Sequence, residues 1–271
     1  CRNTRGRLAV SSYLLVQISD VHLTPRGELR PGVWPRDNLL RGLREVGAAG
    51  LRPDVFLLTG DLADTGDAAC YDDLAAIVGE AAGAYGASVI FVPGNHDDRA
   101  AFRRHLLGDG DGSAAGAQVN RTYWRDGLRI IALDSTVPGE DGGALDERTL
   151  DYLRSELRTP AMDGTIVALH HPPVSSPIEP MAGMALRDPA RLRDAIAGSD
   201  VRIVLCGHNH HVGAGMLGAT PVWVSPASAY RGDTTSTRVF RGVPGSAFSR
   251  IDLGSRDDGP LVTVFPVTAP G

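Results

Sequence analysis

Ala87-Ser88-Val89-Ile90-Phe91-Val92-Pro93-Gly94-Asn95-His96-Asp97 is the stretch on which the reading of this chain turns. A short apolar run rich in β-branched residues stops at Pro93, and a glycine turn follows at once. That pattern reads as a buried strand ending in a tight turn. Gly94 permits a backbone geometry that a Cβ would resist. The turn therefore delivers a carboxamide, an imidazole and a carboxylate at the C-terminal edge of a strand. Alone this carries little weight, because amides and acids at turns usually bond to nearby backbone. Its weight comes from recurrence: four more strand patterns end in metal-ligand residue types.

Two of these lie upstream. Tyr13 to Ile18 reads as a strand running into Ser19-Asp20-Val21-His22, and Asp54 to Thr59 as a strand running into Gly60-Asp61-Leu62-Ala63-Asp64. An i, i+2 pair in extended geometry points to one side, so Asp20 and His22 are expected to reach the same ion. Between the strands, residues 36–49 have helical spacing, with Leu39, Leu40, Leu43 and Val46 on one face and Gly50 as the stop. A second helix is expected over 71–84. Strand–helix–strand–helix–strand order implies a parallel sheet with helices on its faces. Sites in such sheets lie at the C-terminal strand ends.

Two more lie downstream. A short helix over 98–107 and a flexible connection over 109–117 lead to strands at 121–124 and 128–133. Asp126-Gly127 between them is a hairpin signal and implies a second sheet, at least partly antiparallel. Asp146 is placed to cap a helix whose buried face is Leu150, Leu153 and Leu157. The strand Thr165 to Leu169 ends in His170-His171-Pro172-Pro173, where the prolines stiffen the backbone. Residues 175–185 read as a loop that walls or covers a site, and 189–197 as a helix. Val201 to Cys206 runs into Gly207-His208-Asn209-His210, repeating the spacing of Asp20 and His22. Short strands at 222–224, 248–253 and 261–267 follow, and the long Arg-containing loop 229–245 is expected near substrate.

Composition sets the bounds. The 271 residues are 42% hydrophobic and 22% charged, ordinary values for a globular chain with a full core. There is no internal repeat or interdomain linker, so 1–271 is expected to be one domain, with 1–12 a flexible lead. The net charge of −5 argues against a nucleic-acid-binding surface. No apolar run approaches the ~20 residues of a membrane span. Cys1, Cys70 and Cys206 are far apart and odd in number, so reduced thiols and a cytoplasmic location are expected, with Cys206 in the core. A lipid on Cys1 is the alternative for the basic start.

Asp20, His22, Asp61, Asn95, His170, His208 and His210 form a set of oxygen and imidazole donors without cysteine. Such a set suits Mn, Fe, Zn or Co and argues against a structural zinc site. Seven donors exceed the needs of one ion and suit two, about 3.5 Å apart, sharing a carboxylate. Asp61, alone on its strand end, is the natural bridge. Two carboxylates against two cations leave a positive site, fit to hold a phosphodiester and to acidify a water.

The ordered motifs Asp20-Val21-His22, Gly60-Asp61, Gly94-Asn95-His96-Asp97, His170 and Gly207-His208-Asn209-His210 resemble the calcineurin-like metallophosphoesterase superfamily. Ile18-Ser19-Asp20, Thr59 to Asp64, Gly94 to Arg99 and His170 to Pro173 look like its class III cyclic nucleotide phosphodiesterases, the mycobacterial branch in particular. The resemblance implies a four-layer α-β-β-α sandwich, two mixed sheets flanked by helices. It implies one metal on Asp20, His22, Asp61 and His210, and a second on Asp61, Asn95, His170 and His208, as Fe, Mn or Zn. The activity implied is hydrolysis of a 3′,5′-cyclic nucleotide such as cAMP by a metal-bridging hydroxide. Asp61 and His96 are the catalytic residues in that scheme, His96 as general acid. Asn95, His96, His171 and His208 would meet substrate, with His171 otherwise behind the ligands. Asp64 and Asp97 would orient ligand histidines, and Arg99 is expected in a surface salt bridge, with substrate contact the alternative. Glycerophosphodiesters or generic phosphoesters are the alternative substrates. A non-catalytic scaffold would be expected to lose ligands, and none is lost here. The family also leaves room for a homodimer.

Overall fold

A computed structural model describes residues 12–110, 116–256 and 258–268. The expected lead over 1–12 lies outside these apart from Ser12, as does residue Cys1, and the connection over 109–117 is described only in part. The first half of the chain runs β1 (Tyr13–Ile18), α1 (Pro35–Ala48), β2 (Val55–Thr59), α2 (Ala68–Gly83), β3 (Ser88–Val92) and α3 (Arg99–Leu106). The second half begins with β4 (Arg121–Arg125), β5 (Leu128–Ala132), α4 (Glu147–Glu156), β6 (Thr165–Ala168), α5 (Glu179–Gly183), α6 (Pro189–Ile196) and β7 (Val201–Cys206). It ends with β8 (Gly213–Leu217), β9 (Thr220–Val224), β10 (Arg231–Gly232), β11 (Gly242–Val243), β12 (Ser246–Leu253) and β13 (Leu261–Val267).

Two mixed sheets form, in the orders β13-β12-β1-β2-β3 and β4-β5-β6-β7-β9-β8. In the first, β1, β2 and β3 are parallel and β12 returns antiparallel to β1. In the second, β5, β6, β7 and β9 are parallel, with antiparallel edges at β4 and β8.

The four layers follow from strict alternation along strands buried on both faces. In β2, Val55 and Leu57 point between the sheets, where they meet Ile130, Ile166, Ile203 and Leu205 of the other sheet. Phe56 and Leu58 point the other way, onto Leu39 and Val46 of α1 and Leu74 and Val78 of α2. The second sheet mirrors this: Ile131, Val167, Val204 and Cys206 face outward onto Leu150 and Leu153 of α4 and Leu192 and Ile196 of α6. Three apolar interfaces thus join helix, sheet, sheet and helix layers. The parallel strands of both sheets run toward one edge of the sandwich.

Four elements went unread in the sequence, β8, β10, β11 and α5, the last inside the stretch 175–185 expected as a loop, and one helix was read with a late start. Helix α2 starts at Ala68 rather than 71, because the Asp67 side chain accepts the Ala69 N–H and caps it. The loop 229–245 holds the small hairpin β10–β11, and β8 exists through its antiparallel pairing with β9.

Candidate metal centre

Five strand ends of the sandwich meet in one place. Asp20 and His22 follow β1, Asp61 follows β2, Asn95 follows β3, His170 follows β6, and His208 and His210 follow β7. Four of the buried residues, Asp20, His22, Asp61 and His210, hold ligand atoms within 4.8 Å of one another. His170, His171 and His208 form a second such buried group, and His22, Asp64 and His96 a third.

The convergence of Asp20 with His22, and of His208 with His210, has a different cause from extended alternation. Asp20, His22, Asp61, His208 and His210 have φ of 51°, 47°, 53°, 70° and 55°. They are five of the seven non-glycine residues with positive φ among the described residues. This left-handed region is disfavoured for side chains with a Cβ and persists where surrounding structure imposes it. The chain leaves each strand by a tight left-handed step that throws side chains together. Gly94 acts differently from the expectation as well: its φ is not positive, but a Cβ there would lie 2.2 Å from Asp61 Oδ1 and 2.3 Å from Asp61 N. The need is for space. Gly60 has both requirements, with φ +87° and a Cβ position 2.2 Å from His170 Nδ1.

The hydrogen bonds of the histidines set their tautomers. His210 Nδ1 meets Tyr230 O at 3.1 Å and His170 Nδ1 meets Thr59 O at 2.8 Å. A carbonyl only accepts, so both Nδ1 atoms carry the proton. His22 Nδ1 lies 3.0 Å from Asp64 Oδ1 and donates likewise. In the neutral rings each Nε2 is then a bare lone pair. Yet His22 Nε2 and His210 Nε2 are 3.2 Å apart, and His170 Nε2 lies 3.2 Å from His208 Nδ1. His208 Nδ1–H can donate to His170 Nε2, but the facing Nε2 lone pairs of His22 and His210 repel unless a proton or a metal cation stands between or beside them. Asp61 Oδ2 is 3.6 Å from His22 Nε2 and 3.3 Å from His170 Nε2, so its carboxylate lies between the two histidine pairs.

The protonation pattern of these groups reflects the same demand. Burial lowers His170, but the adjacent Asp61 carboxylate more than compensates and lifts it to about 9. Burial, then charge on His170, pushes its neighbour His208 down to about 3. Burial lowers His22, but the Asp64 hydrogen bond and the charges of Asp61, Asp20 and Asp64 together raise it, while burial and His22 drive His210 well below its ordinary value. In each touching pair one ring is thus shifted up and the other down. Burial would raise the Asp61 carboxyl, but His170 and His22 hold it well below the usual range.

Two further donors complete the fit to metal. Asn95 Oδ1 and His208 Nε2 are buried atoms without a hydrogen-bond partner among the described residues. Unpartnered buried polar atoms are costly and call for a bound water or ion. With the facing lone pairs and a shared carboxylate, the residues present suit cations bound by oxygen and imidazole.

The other expected residues fall into place as follows. Asp64 reaches His22 as anticipated. Asp97 contacts no histidine: its carboxylate accepts from the N–H groups of Leu62, Ala63 and Gly94 and from Tyr71 OH, and so fixes the two ligand turns. His171, anticipated near substrate, is fully buried. Its Nε2–H donates to Asp141 O at 3.1 Å, so Nδ1 accepts from Ser135 Oγ at 2.8 Å and neither nitrogen is left for a ligand. Arg99 pairs with buried Asp134 at 2.8 Å and ties α3 to the end of β5. His96 is 41% exposed, and its Nδ1–H donates to Asp64 O at 2.7 Å. Its Nε2 is therefore the nitrogen left to act on a ligand. The Thr59 and Tyr230 carbonyls that set two tautomers carried no sequence signal, since backbone oxygens are invisible to residue type.

The family model described as calcineurin-like phosphoesterase matches residues 13–212, a span that encloses all seven donors. A probable cyclic nucleotide phosphodiesterase of Rhodococcus erythropolis is 45% identical over 221 residues, covering 82% of this chain and 72% of the relative. A cAMP/cGMP dual specificity phosphodiesterase of Mycobacterium tuberculosis is 42% identical over 224 residues, covering 82% and 70%. Among solved structures, a dimetal phosphatase from Danio rerio superposes with a TM-score of 0.61 at 14% identity, over 94% of this chain and 99% of that one. That likeness bears on the fold alone.

Proposed function

The chain belongs to the calcineurin-like phosphoesterase family, and from that membership we propose that it hydrolyses 3′,5′-cyclic nucleotides, cAMP among them, at the centre described above. One observation carries the reading: the relatives with 45% and 42% identity are both named for cyclic nucleotides. The donor set supports a pair of ions, with Asp20, His22, Asp61 and His210 holding one and Asp61, Asn95, His170 and His208 the other. Fe, Mn and Zn all suit these ligands. When bound, the two cations supply Lewis-acid charge to the phosphoryl oxygens and make hydroxide available near neutral pH.

The remaining chemistry falls to side chains. Asp61 holds His96 through its backbone, the His96 N–H donating to Asp61 Oδ1 at 2.9 Å. Asp64 O fixes the ring by accepting its Nδ1–H. The protonated ring then presents Nε2–H to the oxygen that leaves phosphorus, and transfer of that proton converts an alkoxide into a hydroxyl. Asn95 also has an amide NH2 group that supports orientation of the phosphoryl group. The free, buried thiols of Cys70 and Cys206 fit a cytoplasmic enzyme, and no helix of the described residues is long and apolar enough to cross a membrane.

The test is turnover by the Mn-reconstituted protein on 3′,5′-cAMP, 2′,3′-cAMP, glycerophosphocholine and bis(p-nitrophenyl) phosphate. A clear preference in kcat/KM for 3′,5′-cAMP is expected. Good hydrolysis of the nitrophenyl diester with feeble turnover of every cyclic nucleotide would discard the substrate and keep the chemistry.

A further inference from the structure

A cavity of about 350 Å³ opens onto the donors, and part of its wall is not made of ligands. Besides the donors, its lining includes Met181 and Met184, from α5 and the residue after it, Tyr230, which precedes β10, and Phe240, in the connection between β10 and β11. Both loops are fastened. The Gly232 N–H donates to His210 O at 2.7 Å, which anchors the hairpin on a metal-donor residue. The Glu179 N–H donates to Thr237 O at 2.7 Å, which ties the methionine segment to the hairpin. Ser176 Oγ meets His211 Nε2 at 2.7 Å, which ties that segment to the His208–His210 turn.

Within this wall the aromatic rings are not equivalent. Tyr230 is buried, lies 4.2 Å from the His210 ring, and has the Arg30 guanidinium 3.7 Å from its centroid. Phe240 is half-buried and makes T-shaped contacts with His210 and Tyr230, with centroids 5.9 Å and 6.3 Å away. Neither contact is a stack, and Phe240 keeps surface that lines the cavity. A phenyl face and two thioethers have little to give a small hydroxylated group such as glycerol. They are well matched to a flat aromatic ring, on which phenyl groups stack and polarizable sulfur packs favourably.

We propose that Phe240, with Met181 and Met184, forms the slot that receives the nucleobase of the substrate while its phosphate lies on the donors. The slot sets selectivity for nucleoside phosphodiesters over base-free ones, and this rests on the substrate reading given above.

Calorimetric binding to the Mn-loaded protein tests it without turnover, using 5′-AMP and ribose 5-phosphate, which share the phosphate and differ in the base. Base stacking predicts 5′-AMP binding about tenfold tighter than ribose 5-phosphate, and Phe240→Ala removing about that factor for 5′-AMP alone. Phe240→Tyr, which keeps a ring, should retain the preference. Equal affinity of the wild type for the two ligands overturns the slot, and so does an equal loss on both in Phe240→Ala. Should Phe240→Ala fail to fold, Met184→Ala tests the wall from its other side. A loss of a few-fold confined to 5′-AMP is expected there, and an equal or absent loss overturns the proposal. Turnover separates the two readings: a base preference in binding without cyclic-nucleotide hydrolysis sinks the substrate assignment, whereas cAMP hydrolysis without a base preference sinks the slot.

Discussion

His96 is set apart from the seven donors by what its ring nitrogens do. With Nδ1–H committed to Asp64 O, Nε2 alone can serve a substrate, and an acid is needed only where the leaving group is a poor one. His96→Ala should therefore lower kcat on cAMP by about 10²–10⁴-fold, while the rate on bis(p-nitrophenyl) phosphate changes far less because nitrophenolate departs unaided. Equal losses on both substrates would remove His96 from the acid role. Asp64 acts one bond further back. Its carboxylate fixes the His22 tautomer at 3.0 Å, and loss of such partners typically costs 10–100-fold in metal affinity. Asp64→Ala should weaken Mn binding by about that factor in a direct titration; unchanged affinity would mean that His22 needs no such support. The identity of the donors was legible because strand-ending Asp, Asn and His residues recur in order. Their geometry was not, because nothing in Asp20-Val21-His22 announces two left-handed residues. The same gap explains His171, whose place behind the site depends on Ser135 and on a carbonyl of Asp141.

At the scale of elements, glycines decide how closely layers pack. Gly42 of α1 lies against Phe248 of β12, where an added Cβ would sit 2.3 Å from the ring Cζ. Phe248 is wholly buried and has no room to yield. Gly79, exposed on α2, has nothing within 4 Å of a Cβ position. Alanine is the better helix former at both sites by roughly 1 kcal/mol. Gly79→Ala should therefore stabilise the protein by about 0.5–1 kcal/mol, whereas Gly42→Ala should destabilise it by about 1–3 kcal/mol through overpacking. Urea unfolding reads both, and the same sign for the two changes would refute the packing argument. This contrast was closed to sequence reading, which sees two helical glycines. What could be read were the long periodic elements, whose pattern is fixed by which face they bury. The Asp146 cap was read correctly, while the Asp67 cap was missed because the two alanines after it carry no amphipathic signal. Strand β8, Gly213–Leu217, lacks β-branched residues and owes its form to pairing with β9.

The whole molecule is two sheets joined by apolar layers along their length, with buried polar groups at opposite ends. Away from the centre, Arg129 of β5 pairs with Asp200 at 2.9 Å, both side chains nearly inaccessible, and Asp200 also accepts from Ala161 N and Thr165 Oγ1. Removing one partner leaves a buried charge alone, so Arg129→Ala should cost roughly 3–5 kcal/mol of stability while leaving KM unchanged. A matched loss of KM would mean that this end of the sandwich is coupled to the other. At the other end, the donors come from both sheets: Asp20, His22, Asp61 and Asn95 from the first, His170, His208 and His210 from the second. His22 faces His210, and Asp61 lies beside His170, so these two contacts cross between sheets, while His170 meets His208 within the second. A cation seated there would replace repulsion between facing lone pairs with bonds to both sheets at once. Only the folded chain brings these residues together, so binding energy adds to folding energy, by about 2.7 kcal/mol at a free metal concentration of 100 times Kd. Mn should therefore raise Tm by about 5 °C or more, and Asp61→Asn, which removes the shared charge, should abolish most of that rise. The control is a donor confined to one sheet's end: His208→Ala should keep part of the rise, because the Asp20, His22, Asp61 and His210 group still spans the sheets. A Tm indifferent to Mn in the intact protein would show that the sheets are held by their apolar interface alone, and that the strained turns are kept by packing rather than by the ion.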